Sequence, residues 1–317
     1  MIRIIKLLQH TLRRETLRHP VSAAVTPLTH MAMPLAEGLG RRLLCVGGRK
    51  RTLHVGRFAV AAVHIPARAP RPGTAPLVLV HGLGDSMATW LLVAAPLAQD
   101  RAVWLIDLPG YGHSPLPANC ACATIAEMRD LLGTIVREHV GAPALLAGNS
   151  MGGWLAVLLA LHEPALLRGI GLINPGGALL DGRSSWEPFL ASVAVDDPAV
   201  IARTVASIFG RYPRPVHYLV RPGLAASFGS PTVRNFVARA DEADFIPASE
   251  LARVITPTAL IWGSRDRFLP AGSFEYFRDY IPRVQLYPIR TSGHLPQRET
   301  PGALLHALRD FFRRVED

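Results

Sequence analysis

The chain predicts an α/β fold, a largely parallel sheet with helices on both faces, interrupted late by an inserted helical cap. Three observations carry this. From residue 40 onward, short apolar runs of strand length alternate with helix-length segments, which is the pattern of repeated strand–helix–strand units. One pentapeptide, Gly148-Asn149-Ser150-Met151-Gly152, stands between such a run and a helix-like segment. Between residues 175 and 256 the pattern changes, and helical stretches separated by Pro and Gly replace the apolar strands.

The elements follow in order. Residues 1–40 form a basic arm, expected to be helical at its start. Runs over 43–46 and 51–65 flank Gly47-Gly48 and suggest an opening antiparallel hairpin. A Pro-rich link over 66–76 leads to a strand at 77–80, a helix near 87–98 and a strand at 102–106. Next come a helix over 125–139, the apolar run 142–147 before Ser150, the helix after it, and a strand at 169–173. Within the cap, residues 186–193, 198–209 and 232–240 read as helices. The sheet resumes at 258–262, with a helix near 273–280, a strand at 284–289 and a last helix over 301–315. The core is therefore assigned to residues 41–174 and 257–317, and the cap to 175–256.

Composition bounds the function classes. At 317 residues and 49% hydrophobic content, the chain can fill a large core with one insertion. No apolar run approaches the roughly 18 residues of a membrane span. The net charge of +10 is concentrated in the first 57 residues, where eleven Lys and Arg oppose Glu15 and Glu37, a balance of +9 that leaves +1 for the rest. Ile4, Leu8 and Leu12 recur at helical spacing there, interleaved with Arg and Lys, and Pro20 ends the pattern. Residues 1–20 thus suit an amphipathic helix that docks on the body or lies on an anionic membrane surface. Nucleic-acid binding is not expected, because no recognition fold accompanies the charge. Three cysteines, Cys45, Cys120 and Cys122, lack zinc-type spacing, and a reduced cytoplasmic compartment is the default reading.

The pentapeptide chooses the chemistry. A serine hydroxyl attacks only when a neighbouring base takes its proton, and a tight strand-to-helix turn lifts Ser150 clear of the backbone so that the base can reach it. His294, in the loop Thr291-Ser292-Gly293-His294-Leu295 between the last strand and the last helix, is the expected base. Asp266, after the strand at 258–262, is the expected acid that fixes the imidazole tautomer. The strand before it ends in Asn174-Pro175 and offers no carboxylate. Charge developing on a substrate carbonyl needs two fixed N–H donors. His81-Gly82-Leu83-Gly84 after the strand at 77–80 supplies one from Leu83, and Met151 the other.

Taken together, these residues resemble the α/β-hydrolase superfamily. The matches are His81-Gly82-Leu83-Gly84, Asp107-Leu108-Pro109-Gly110-Tyr111-Gly112-His113-Ser114, the Ser150 elbow, the Asp266 loop and the His294 loop. The resemblance implies a mostly parallel eight-stranded sheet and a serine hydrolase with no cofactor and no metal. Asp107 and its neighbours are then loop scaffold. Two groups are similar in motif: capped bacterial lipases and carboxylesterases acting on small esters, and hydrolases that cleave carbon–carbon bonds of ring-fission diketones. The second group is marked by a Trp after the catalytic His, where this chain has Leu295, and by a cap arginine for the substrate carboxylate, for which the cap offers Arg203, Arg211, Arg214 and Arg221. A third reading is a non-catalytic ligand-binding member of the fold. His81, Gly82, Asn149 and Leu295 flank the expected site and are placed as substrate contacts, with Trp186, Phe189 and Phe209 from the cap as the apolar wall or as the cap's own core. Acyl-chain preference and oligomeric state are not legible.

Overall fold

A computed structural model of the protein describes residues 47–181, 185–193, 197–210, 223 and 226–317. The expected arm helix, the strand expected at 43–46 and Cys45 lie outside the described residues.

Eight strands build one sheet: β1 (Arg49–Val55), β2 (Phe58–Ile65), β3 (Leu77–Val80), β4 (Val103–Ile106), β5 (Ala144–Ser150), β6 (Leu167–Pro175), β7 (Thr258–Gly263) and β8 (Gln285–Ile289). Their spatial order is β1-β2-β4-β3-β5-β6-β7-β8. β2 runs antiparallel to both β1 and β4, and every other pairing is parallel. The run expected over 51–65 divides into β1 and β2 at Gly56-Arg57, with Val55 opposite Phe58, while the first strand expected before Gly47-Gly48 lies outside the described residues. The apolar run over 51–65 is too long for one strand, and Gly56 takes the positive φ of +55° that a tight hairpin turn needs.

Among the described residues the helices of seven residues or more are α1 (Ile125–Ile135), α2 (Met151–His162), α3 (Glu187–Val193), α4 (Pro198–Ile208), α5 (Pro231–Arg239), α6 (Ser273–Tyr280) and α7 (Pro301–Glu316). Both faces of the sheet are covered, so the central strands are apolar throughout. In β3, Val78 and Val80 join the cluster that contains Met128 and Leu132 of α1 and Leu155 and Leu159 of α2. Leu77 and Leu79 point the other way, into the cluster of Trp90 with Leu308, Phe311 and Phe312 of α7. The N-terminus of α1 is fixed by a capping box: the Glu127 amide donates to Thr124 Oγ1, and the Glu127 carboxylate accepts from the Thr124 amide at 2.9 Å. The helix expected over 87–98 is instead two short turns, Met87–Trp90 and Ala94–Leu97. Pro96 has no N–H to give, so it fits only where a helix has just begun.

Helices α3, α4 and α5 all lie between β6 and β7. This segment rests on α2 through aromatic contacts: Trp154 of α2 stacks on Phe245 at 5.1 Å between ring centroids, and Trp186 meets the same ring at 5.0 Å. The Trp186 indole N–H donates to the Ala178 carbonyl at 2.6 Å. The loops that follow β3, β5, β6, β7 and β8 share the carboxyl edge of the sheet beneath it, the usual place for a ligand in an open parallel sheet.

Candidate functional site

Ser150 ends β5 and Met151 opens α2. The chain reverses at Ser150 with φ 55° and ψ −117°, a conformation that costs a side-chain-bearing residue about 1–3 kcal/mol. Close packing holds it there. A Cβ on Gly148 would lie 2.2 Å from the Gly152 carbonyl carbon, and one on Gly152 would lie 2.3 Å from the Val80 oxygen. Both glycines of the pentapeptide therefore answer backbone contacts, and the second brings the end of β3 against the elbow.

His294 and Asp266 meet although 28 residues separate them: the imidazole Nδ1 donates to Asp266 Oδ2 at 2.8 Å, with the side chains 3% and 1% exposed. That bond leaves Nε2 as the ring's basic nitrogen. Asp266 Oδ1 also accepts the amides of Phe268 and Leu269 at 2.8 and 3.2 Å. Its Oδ2 accepts from Asn174 Nδ2 at 2.6 Å. Burial alone would push this carboxyl up, yet the charge and hydrogen bond of His294, with the two backbone amides, hold it below the ordinary carboxylate value.

The His294 backbone is pinned on both sides. Its carbonyl accepts from Asn149 Nδ2 at 3.0 Å, while its amide donates to the Ile208 carbonyl at 2.7 Å. Asn149 Oδ1 in turn accepts from Gln297 Nε2 at 3.0 Å, and Gln297 reaches Thr89 Oγ1 at 3.2 Å. Phe268 lies 4.7 Å from the imidazole, ring to ring.

Two cavities meet at the serine. One is lined by Ser150 and His294 together with Gly82, Leu83, Asn149 and Leu295. The other runs under the β6–β7 segment, past Leu83, Ser150, Met151, Trp186, Phe189 and Phe236. Each has a volume of about 30 Å³, near the share of one water molecule, whereas small-molecule sites usually span about 300–1,000 Å³. A roomier cavity of about 700 Å³ lies against α3 and α4 and includes Arg203 and Arg267. Phe189 and Leu269 line both it and the apolar cavity, so these side chains form the partition between them.

The structure thus brings together Ser150, His294, Asp266, Leu83, Met151, Gly82, Leu295, Trp186 and Phe189. Three expected contacts are placed differently. His81 is fully buried; its Nδ1–H donates to the Gly82 carbonyl at 2.8 Å and its Nε2 accepts the Leu108 amide at 3.0 Å. Both nitrogens are consumed in holding the loop, so His81 is not a substrate contact. Phe209 is packed in the apolar cluster and lines neither cavity at Ser150. Asn149 lines the cavity, but its amide is spent on the Ile173 and His294 carbonyls and on Gln297. Asp107 is scaffold: its carboxylate accepts the amides of Met87 and His113 at 2.7 and 2.8 Å.

Sequence reading missed Asn174, Gln297 and Glu299. Asn174 has φ 43°, donates to Asp266 and accepts the Gly263 amide at 3.0 Å; the one signal was an amide side chain at a strand end directly before proline. Among the described residues, no cluster of His, Cys, Asp and Glu is arranged to hold a metal ion. No described helix is long and apolar enough to cross a membrane.

Comparison with known proteins agrees with this architecture. An uncharacterized protein of Mycobacterium bovis is 30% identical over 282 residues, covering 80% of each chain. The 2-hydroxymuconate semialdehyde hydrolase of a Pseudomonas species is 26% identical over 258 residues, 76% of this chain and 88% of that one. The crystal structure of a bacterial membrane phospholipase A superposes with a TM-score of 0.73 at 24% identity, over the whole of both chains. A profile of the alpha/beta hydrolase family matches residues 77–307, the stretch that carries β3, the elbow, both loops and the first turns of α7. With that match and the eight-stranded sheet in agreement, this chain belongs to the alpha/beta hydrolase family.

Proposed function

We infer that the chain is a serine hydrolase of carboxylic esters, with Ser150 as nucleophile, His294 as base and Asp266 as its orienting acid. The observation that carries this is the buried His294–Asp266 pair opening onto the same cavity as Ser150 on its strained elbow. His294 Nε2 takes the hydroxyl proton as Ser150 Oγ attacks the ester carbonyl. The amides of Leu83 and Met151 receive the negative charge on the carbonyl oxygen. Collapse expels the alcohol, protonated by the imidazolium, and leaves an acyl-enzyme. Water, deprotonated by the same nitrogen, then releases the acid.

The two cavities that meet at Ser150 divide the substrate. The one under the β6–β7 segment is walled by Trp154, Trp186, Phe189, Leu190 and Phe236 and suits an apolar acyl group. Both are too tight for such a group as they stand, so the β6–β7 segment acts as a cap that lifts to admit it. Among the described residues, neither cavity is lined by Arg or Lys. That supports a neutral ester over a ring-fission diketone carrying a carboxylate. Arg211, Arg214 and Arg221 lie outside the described residues.

Two results are expected. An alkyl fluorophosphonate adds to Ser150 Oγ with loss of fluoride, and turnover of p-nitrophenyl butyrate disappears in step with the label. Turnover surviving full labelling, or label on another residue in tandem mass spectrometry, would overturn the assignment. Secondly, Asp266 is held below the ordinary carboxylate range by His294 and the two backbone amides, so it stays ionised and adds no transition of its own to kcat/KM between about pH 5 and 8. Protonation of the Asp266 carboxyl inside that window, read from its carbonyl stretch by infrared difference spectroscopy, would overturn this expectation. A series of esters run beside a ring-fission diketone separates the two substrate classes.

A further inference from the structure

The β6–β7 segment and the His294 loop are in backbone contact, and one carboxylate joins them. Glu299 ends the short helix Pro296–Glu299 that follows the loop. Its Oε1 accepts the Gly293 amide at 3.0 Å and approaches the Leu295 amide at 3.4 Å, on either side of His294. Its Oε2 accepts the Gly210 amide at 2.8 Å, across a sequence separation of 89 residues. Beside this bridge the His294 amide donates to the Ile208 carbonyl at 2.7 Å. The approach is so close that a Cβ on Gly293 would lie 2.3 Å from the Gly210 nitrogen, and one on Gly210 would lie 2.6 Å from the Gly293 nitrogen.

A carboxylate suits this position because its two oxygens can accept from both segments at once, and hydrogen bonds to an ionised acceptor are about twice as strong as neutral ones. The amide of a glutamine can satisfy only one side. Its NH2 would face an N–H on the other. The backbone that aims the imidazole is therefore held partly by the segment that must move for substrate to enter.

We propose that Glu299 is a positioning residue that ties the docked state of the β6–β7 segment to the placement of His294, so that the base is aligned on Ser150 only while that segment is seated. The proposal rests on the ester-hydrolase reading for what His294 does; the tie itself rests on the contacts above. It gives the enzyme a reason not to fire while open to solvent, since lifting the segment removes the Ile208 and Gly210 partners from the loop.

Two variants approach the tie from opposite sides. Glu299→Gln keeps size and removes one acceptor. Gly210→Ala leaves the His294 loop untouched in sequence and inserts a Cβ against Gly293 and Arg265, 2.6 and 2.8 Å away in the native backbone. Each is expected to slow fluorophosphonate addition at Ser150, and kcat for p-nitrophenyl butyrate, by about 10- to 100-fold. KM should change less than kcat, because the tie reaches the cavity lining only through backbone groups of Ile208 and Leu295 and not through their side chains. Hydrogen exchange at Gly210, Gly293 and His294 is expected to quicken together in both folded variants.

The proposal is overturned if both variants label Ser150 within about twofold of the native rate. It is overturned equally if exchange quickens at Gly210 alone and the loop amides keep native protection. A native protein that takes neither phosphonate nor ester would sink the ester-hydrolase reading instead. The paired exchange at Gly210 and Gly293 would then still decide the tie.

Discussion

Asp266→Asn is expected to lower kcat for a short p-nitrophenyl ester by about 10⁴-fold, or about 5.5 kcal/mol of barrier, with the fold retained. Four donors converge on the native carboxylate: His294 Nδ1–H and Asn174 Nδ2 on Oδ2, and the Phe268 and Leu269 amides on Oδ1. Asparagine keeps the shape but accepts at one position only. If its oxygen stays with the two backbone amides, its NH2 faces the imidazole, which must turn Nδ1 into the acceptor and carry its proton on Nε2. The nitrogen facing the serine is then protonated and cannot act as base. If the oxygen instead faces His294, the NH2 meets two backbone N–H groups that cannot rotate away. The first arrangement strands fewer donors and fixes the wrong tautomer. Asn174→Ala should be milder, since Asp266 keeps three of its four donors. Steady-state kinetics decide the point, and a kcat within about tenfold of native would mean that Asp266 does not set the tautomer.

Ser150, Asp266 and His294 were legible as candidate positions because each ends or closely follows a short apolar run, and chain order supplied the rest. What makes them a unit is strand order, and β5, β6, β7 and β8 are neighbours in the sheet. Sequential strands paired side by side carry three distant residues to one edge. The elbow was legible for a local reason, since both glycines of the pentapeptide answer contacts with backbone.

The supporting residues were not legible, and the reason is the same for each. Asn174 reads as a strand end lacking a carboxylate, and its role exists only because β6 lies beside β7. Gln297 and Glu299 look like ordinary polar residues of a helix start until the following turn folds them under the His294 loop. His81 errs in the opposite direction. A histidine after a strand in a glycine-rich loop suggests a substrate contact, whereas the Gly82 carbonyl and the Leu108 amide take both its nitrogens. The run over 51–65 reads as one strand because nothing in its apolar pattern marks the break, whereas strand length requires one, and Gly56 supplies it.

Stability should depend strongly on one buried ion pair far from this edge. Arg101, just before β4, and Glu316, at the end of α7, are 4% and 2% exposed. The guanidinium spans the carboxylate, Nη1 to Oε1 at 2.7 Å and Nη2 to Oε2 at 2.9 Å, and lies over the Phe312 ring at 5.3 Å. The Ala75 amide adds a bond to Oε1 at 2.9 Å, and the half-exposed Arg71 reaches Oε2 at 3.2 Å. Arg101→Met keeps the packing on Phe312 but leaves Glu316 with one backbone amide and one solvent-screened arginine. Stranding a buried charge in this way costs about 3–5 kcal/mol. At roughly 2–4 °C per kcal/mol for a chain of this order of size, the thermal midpoint should fall by about 6–20 °C. Arg101→Met combined with Glu316→Leu should recover most of that loss, because an apolar pair of similar volume removes the unpaired charge along with its partner. Urea unfolding of the two variants checks both halves. A loss below about 1 kcal/mol in the single variant would mean that water reaches the carboxylate, and no recovery in the double variant would mean that the pair holds the end of α7 by geometry and not by satisfying charge.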